Sequence, residues 1–406
     1  MSWSKAHFRF AKIVSASALV LTLCLPLTGG TRTAGTAEAA SASPSASAAC
    51  GSGNQALLQD LQAKHKGAGE TPLHFADVDF LSDTTGRAAG NGFLIGTSDG
   101  GCSWQAIYKG SWQFSQILFP GNVKGWALAA AQESGPSYLL STSDGGSHWK
   151  RIDSAGNLSF LKISYVDGTL FGFTTNAVYK SADQAKSWKK ISTPPNTRAG
   201  SFEDAAGSRG YVLTIVPGGG YKVMKTTNGG ASWSRVLTIP SISNHGGAVY
   251  SSGGQVWALA YGESGMSQIS YSLYASRDGG TDWTRVIAQD TAGGGPAPGS
   301  GKALAAKGPA SPGGHPGNME LVGSSTAYLA GGSPAGGTVG VGRSYNAGQS
   351  WENAKASIKG YDARISFPSQ KTGWLAVTSV SSSAVYVTHD GGASWNQKFQ
   401  LPESDS

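Results

Sequence analysis

The chain is poor in charge: Asp, Glu, Lys and Arg make up only 14% of its 406 residues. That excludes a disordered polyelectrolyte, which stays open through low hydrophobicity and self-repulsion. Its longest N-terminal apolar run, Ile13 to Leu27, is interrupted by Pro26 and is too short for a comfortable transmembrane span. The 7 His residues are scattered, with His148 and His389 on exposed turns, so no metal-binding triad emerges. Gly218 to Gly220 precede a strand and no Lys-Ser/Thr follows, which argues against a phosphate cradle. There is no Gly-x-Ser-x-Gly elbow with partners. No cofactor, metal or motif-borne catalytic residue is implied.

Residues 1–39 read as an export signal. Lys5, Arg9 and Lys12 form a basic start, the apolar run follows, and Ala37-Glu38-Ala39 offers a small-x-small cleavage site. The competing reading is an uncleaved anchor or a lipoprotein, although neither Cys24 nor Cys50 lies in a good lipidation context. Cleavage would leave 27 basic against 23 acidic residues, since Lys5, Arg9, Lys12, Arg32 and Glu38 depart. This mild balance gives no warrant for nucleic-acid binding, which concentrates basic charge on one face. Of the 3 Cys, Cys50 and Cys102 would remain in an oxidising compartment. They are a candidate disulfide, with two free thiols as the alternative because sequence does not fix their separation.

What the chain has instead is repetition. An eight-residue box of hydroxyl, any residue, Asp or Asn, usually Gly-Gly, two more residues and Trp occurs seven times. Its third positions are Asp99, Asp144, Asp183, Asn228, Asp278, Asn346 and Asp390, and its last are Trp104, Trp149, Trp188, Trp233, Trp283, Trp351 and Trp395. Successive Trp residues lie 45, 39, 45, 50, 68 and 44 positions apart. Such a period, in units of strand formers and turns with 59 Gly overall, predicts an all-β protein, a seven-bladed β-propeller of four-stranded antiparallel blades. Each box explains itself as a clasp. The carboxylate or amide accepts hydrogen bonds from backbone N–H groups two or so residues on, the glycines supply positive φ, and the Trp inserts an apolar body beneath the turn.

These boxes resemble the Asp-box (bacterial neuraminidase repeat) motif of sialidases, sortilin-type receptors, some xyloglucan-degrading glycosidases and photosystem II assembly-factor propellers. The resemblance covers about residues 70–400. It leans to the assembly-factor type through Val78-Asp79-Phe80 then Gly86, Ile117-Leu118-Phe119 then Gly125-Trp126-Ala127, and Ile365-Ser366-Phe367 then Gly373-Trp374-Leu375-Ala376. It specifies fold more than function, since the relatives do different things.

The expected organisation is a flexible linker over 40–69, a propeller over 70–400 and a tail over 401–406. Within the linker, Leu57, Leu58 and Leu61 at helical spacing read as a short helix over Asn54 to Lys64. Blade 2 is expected to run Phe114 to Phe119, Trp126 to Ala131, Tyr138 to Thr142 and Trp149 to Asp153. The second strands of the other blades fall near Arg87, Leu170, Tyr211, Val256, Tyr328 and Trp374. Every box then joins the third strand to the fourth, on the same face as the first-to-second turns. Variable loops lie on the opposite face: Gln132 to Pro136, Pro217 to Gly220, Gly262 to Met266 and Ser333 to Gly336. An insertion between blades 5 and 6, about 290–318, shares that face; its scarcity of aromatic and charged anchors favours disorder over function.

A glycosidase needs two carboxyl groups flanking the scissile bond, and Glu133 and Glu263, in matching loops, form the one paired candidate; solvated loop glutamates are the plain alternative. Sialidase relatives also imply an arginine cluster. Arg198, Arg209, Arg343 and Arg364 exist, but the Arg-Ile-Pro signature is missing around Arg87. Xyloglucan enzymes of this resemblance use two propellers, and one is present. Basic residues after the boxes, Lys150-Arg151, Lys189-Lys190, Arg235, Arg285 and Lys398, fall on outer strands, where charge protects edges; a rim for an acidic partner is the alternative. The expectation is therefore a secreted, monomeric, non-catalytic binding or assembly module that recognises a protein or glycan through the loop face, with glycoside hydrolysis as the alternative.

Overall fold

A computed structural model describes Cys50, the helix α1 (Asn54–Lys64) and residues 72–403, apart from 133, 157, 266, 292–294, 301–310 and 355–357. The export signal, most of the linker and Glu133 lie outside the described residues. Seven antiparallel sheets follow one another in chain order, each built from consecutive strands. Blade 1 comprises Phe75–Phe80, Gly86–Gly90, Phe93–Thr97 and Gln105–Tyr108, and blade 7 comprises Asp362–Ser366, Gly373–Thr378, Ala384–Thr388 and Asn396–Gln400. The innermost strands of blades 2 to 6 are Gln113–Leu118, Lys162–Val166, Thr197–Phe202, Gly247–Ser252 and His315–Val322. Blade 6 carries an extra short strand, Ile358–Lys359, on its third strand.

The boxes form the clasp that the sequence predicts, with one difference of reach. In each, the first hydroxyl donates to the Asp or Asn side-chain oxygen, as in Thr388 to Asp390 at 2.7 Å, and accepts the N–H four residues on, here Gly392 at 2.8 Å. The Asp oxygen accepts the N–H four residues beyond itself, Ser394 at 2.9 Å, and not two. The turn between them is wide enough to need two left-handed residues, Gly391 (φ 68) and Gly392 (φ 88). Blade 3 makes the same turn with Gln184 (φ 65) and Ala185 (φ 68), so the hydrogen bonds hold even where glycine is lacking.

Boxes also tie blades together. The Gly145 N–H of the second box donates to Val123 of its own blade at 2.7 Å, while its carbonyl accepts Arg87 Nε of blade 1 at 3.0 Å. Tyr211 donates to Gly279 at 3.1 Å and Arg343 to Gly391 at 2.6 Å in the same sense, from one blade to the box of the next. Two inner-strand amides read the next inner strand through both backbone groups: Gln116 takes the N–H and holds the C=O of Ile163, and Asn318 does the same with Ile365.

Between blades, a large second-strand side chain meets the neighbour. Trp126 stacks with Tyr165, Phe171 with Phe202, Tyr328 with Phe367 and Trp374 with Phe80, the last at 3.9 Å between ring centroids, while Arg87 sits 4.0 Å over Phe119. The Phe of each such pair lies across a glycine at the start of its own second strand. A Cβ on Gly86 would stand 2.2 Å from the Phe80 ring, and one on Gly373 2.2 Å from Phe367. This close approach is the physical content of the Phe-then-Gly phrasing in the sequence.

The ring closes between blades 7 and 1 without strand exchange, because each sheet is made from one continuous stretch. Phe80 N–H reaches Ser366 Oγ at 3.1 Å, Thr378 Oγ1 donates to Phe75 at 3.1 Å, and Trp104, Trp374 and Phe399 fill the seam. Helix α1, the short helix expected within the linker, is docked there. Leu57 and Leu61 are buried in the seam cluster, Asn54 Oδ1 accepts Trp104 N–H at 2.9 Å, and Asp60 pairs with Lys109. The Cys50–Cys102 disulfide, with Cα atoms 4.4 Å apart, ties the start of this strap to the first box. Its loss in Cys50→Ser/Cys102→Ser is expected to cost about 2–4 kcal/mol through the freed unfolded chain. Urea midpoints of the variant and the oxidised protein check this.

Smaller corrections concern ends. The outer strand of blade 2 is only Lys150–Arg151, and Asp153–Ala155 turns as a 3-10 helix. The blade 5 strands extend to Ser264 and resume at Ile269, shortening that loop. Asn318 belongs to an inner strand that begins at His315, so the insertion is shorter than expected. Part of it is packed: Pro298 accepts hydrogen bonds from Ser272 at 2.6 Å and Tyr274 at 3.1 Å. Residues 292–294 and 301–310 of the insertion lie outside the described residues.

The clasps carry a pH signature. His148 donates to Asp144 through its backbone and then its side chain, and holds that carboxyl far below the usual range; Ser187 does the same for Asp183 through its side chain first and then its backbone. At Asp390 slight burial acts upward, but the Ser394 hydrogen bonds prevail and the group falls to about 2. Carboxylates depressed in the fold contribute stability that is complete above their unfolded range near 4 and is lost as pH falls toward their folded values. Thermal stability should therefore fall between about pH 4 and pH 2, less steeply in Asp390→Asn.

Candidate ligand site on the loop face

The first residues of five inner strands converge with Phe173, which ends the second strand of blade 3, and with Tyr261 and Ile269 of blade 5 on the face opposite the boxes. They line a cavity of about 490 Å³ spanning blades 3 to 7. This is the face that loop variation singles out. Its apolar wall is Leu161, Phe173, Tyr261, Ile269 and Pro316. Its polar groups are unbalanced in sign: Lys162, Arg198 and Arg364, with His245 and His315, against the single carboxylate Asp362.

Each cation is held differently. Lys162 opens the inner strand of blade 3, with Nζ 3.4 Å from Gly200 O and 5.0 Å from the Phe173 ring centre. Burial pushes its ammonium down to about 7, against the pull of the Glu320 carboxylate. Arg364, 7% exposed, bonds Asp362 Oδ1 at 2.9 Å and the Ala363 carbonyl at 2.9 Å, while its Nε has no hydrogen-bond partner. Burial lowers the His315 pKa, with the Ser267 backbone and Asp362 opposing, and its buried Nε2 also lacks a partner. Arg198 reaches Thr175 O at 3.1 Å from an exposed position. Two unpaired polar atoms beside a cavity are places where a ligand's oxygens would be accepted.

Of the residues singled out in sequence, Arg198 and Arg364 meet here, while Arg209 pairs with Glu203 at 2.6 Å and Arg343 with Glu352 at 2.7 Å elsewhere. Glu263 is exposed on the lengthened second strand of blade 5 and does not line the cavity. Glu133 lies outside the described residues, so the pair is not placed. Among the described residues Asp362 is the only carboxylate of the lining, and no group of three or more His, Cys, Asp or Glu is able to hold a metal ion. No described helix is long and apolar enough to cross a membrane. Of the basic residues after the boxes, Lys150, Lys189 and Lys190 are exposed on outer strands, and Arg151 lies 4.0 Å over the Tyr138 ring. Lys162 and Asp362 escaped sequence reasoning; their one signal is position, at the start of an inner strand.

Seven clasped four-stranded sheets in a ring define an Asp-box β-propeller with its open cavity on the loop face. Residues 67–221, covering blades 1 to 3 and part of blade 4, match the family described as "Photosynthesis system II assembly factor YCF48". No curated protein matches the chain in sequence. Among solved structures, one described as "YCF48 bound to D1 peptide" is 19% identical over 79% of this chain and 94% of its own, with a TM-score of 0.48. The GH74 xyloglucanase of Xanthomonas campestris is 13% identical over 79% of this chain, with a TM-score of 0.51. This chain spans about half of that enzyme's length, at 52%. The GH74 enzyme of Niastella koreensis is 16% identical over 79% of this chain and 62% of its own, with a TM-score of 0.33.

Proposed function

We propose that the chain is an exported, non-catalytic binding propeller whose loop-face cavity takes an acidic segment of a partner protein. The observation that carries this reading is the meeting of Lys162, Arg198 and Arg364 around a cavity with one carboxylate, where Arg364 Nε and His315 Nε2 lack partners. Fixed cations in a partly apolar recess favour an anionic chain with carboxylates to match, and they give it register. The surrounding face adds apolar contact. Ile242 is 81% exposed, Val380 84% and Tyr361 39%, all in connections on this side. A family described as an assembly factor, matched by 67–221, accords with partner binding.

The test is titration with labelled peptides of one length: acidic, with the acids amidated, and basic. The acidic peptide should bind in the micromolar range or tighter and weaken as salt rises, while the amidated one loses at least about tenfold. Equal binding of all three, or binding only of an anionic polysaccharide, would overturn the reading.

A further inference from the structure

Lys162 does more in this cavity than supply charge. Its side chain is 6% exposed and is held between the Phe173 and Tyr250 rings, with Nζ 5.0 and 5.6 Å from their centres. It nevertheless belongs to the lining of an open cavity, along with Arg198 and Arg364. Two aromatic rings flank the amine, and the guanidinium groups of the same lining supply cations for an anionic substituent. We propose that Lys162 is a nucleophilic amine that captures small aldehydes or ketones bearing a carboxylate, as a reversible imine.

The step balances without oxidant or reductant. The Nζ lone pair adds to the carbonyl carbon, and the carbinolamine loses water. A C=N bond replaces C=O, and the nitrogen's two hydrogens leave with the carbonyl oxygen as that water. Hydrolysis reverses it. Burial serves this chemistry. An ordinary lysine near 10.4 has roughly one amine in 2,500 unprotonated at pH 7, whereas Lys162, pushed down to about 7, has about half. The charged and titratable groups around it are Glu320, Tyr250, Tyr261, Arg198, Arg364, His245, His315 and Asp362. Glu320 acts to keep the proton on Lys162, and burial prevails over it.

The proposal shares the cavity with the peptide-binding reading and rests on it for the anionic preference alone. The experiment treats the mature protein with 4-carboxybenzaldehyde or benzaldehyde at pH 7, reduces with cyanoborohydride, and maps adducts by peptide mass spectrometry. The expected result is one dominant adduct, on Lys162, formed at least about tenfold faster than on Lys189 or Lys190. The carboxylated probe should outpace benzaldehyde, and Arg364→Gln should slow the former alone. Labelling should fall as pH drops from 8 to 6 and vanish in Lys162→Arg. If that variant does not fold, the wild-type adduct map decides by itself. Adducts spread over surface lysines, with Lys162 at or below their level, overturn the proposal. Peptide titration needs no aldehyde, so failure of one reading is visible apart from failure of the other.

Discussion

Trp374→Ala will lower the stability of the ring by about 3–5 kcal/mol, the range for removing a large aromatic from a packed interior. Trp374 is fully buried, stacked on Phe80 at 3.9 Å and edge-on to Trp104 at 6.2 Å. It stands where the chain's two ends meet, and no exchanged strand spans that seam. Removing it leaves a cavity that Phe80 cannot fill, because the Phe80 ring is held over Gly86. Trp395→Ala, in the last box, removes as large a ring from a half-buried site whose aromatic contact is an edge on Phe367 at 6.2 Å. It should cost clearly less. Urea unfolding of both variants tests the contrast, and equal midpoints would show that clasps and seams matter alike.

That contrast separates what the sequence states openly from what it states in another register. The box is visible because all its bonds are local: Thr388, Asp390, Gly392 and Ser394 lie within seven positions and bond one another. Seven copies in tandem then require radial sheets, and the alternation of strands assigns the faces. The seams are less visible. Arg87, Trp126, Tyr211, Tyr328 and Trp374 hold equivalent second-strand places but vary among Arg, Tyr and Trp, so no single residue type marks them. The docked helix was legible as a helix, through Leu57 and Leu61, but its dock was not, since Trp374 and Phe399 come from the far end of the chain.

The cavity was the least legible part. Lys162, Arg198, His315 and Arg364 come from four blades, and only ring closure brings them together. Loop variation pointed to the face that bears the cavity yet drew the eye to Glu133 and Glu263, because loops vary for many reasons. The informative residues sit at the starts of regular inner strands, where the sequence shows nothing unusual.

The second large effect concerns affinity. Arg364→Gln should weaken an acidic peptide by 30-fold or more, about 2 kcal/mol or above, because truncating one member of a buried, hydrogen-bonded charge pair also leaves the ligand's carboxylate facing a recess without its counter-charge. Arg198→Gln, exposed and screened, should cost less and act mainly through salt dependence. The pH dependence has a definite sign. Lys162 loses its proton as pH rises through about 7, so affinity for the acidic peptide should fall between pH 6 and 8, and binding near pH 7.5 should take up protons from the buffer. The free protein should move the other way. Because the unfolded chain keeps this proton up to about 10.4, it binds more protons than the fold between roughly 7 and 10, and stability contributed by this group rises over that window. Calorimetry in buffers of different ionisation enthalpy measures the uptake, and Lys162→Met should abolish it; uptake that survives in that variant would reassign the linkage to another group, His315 first.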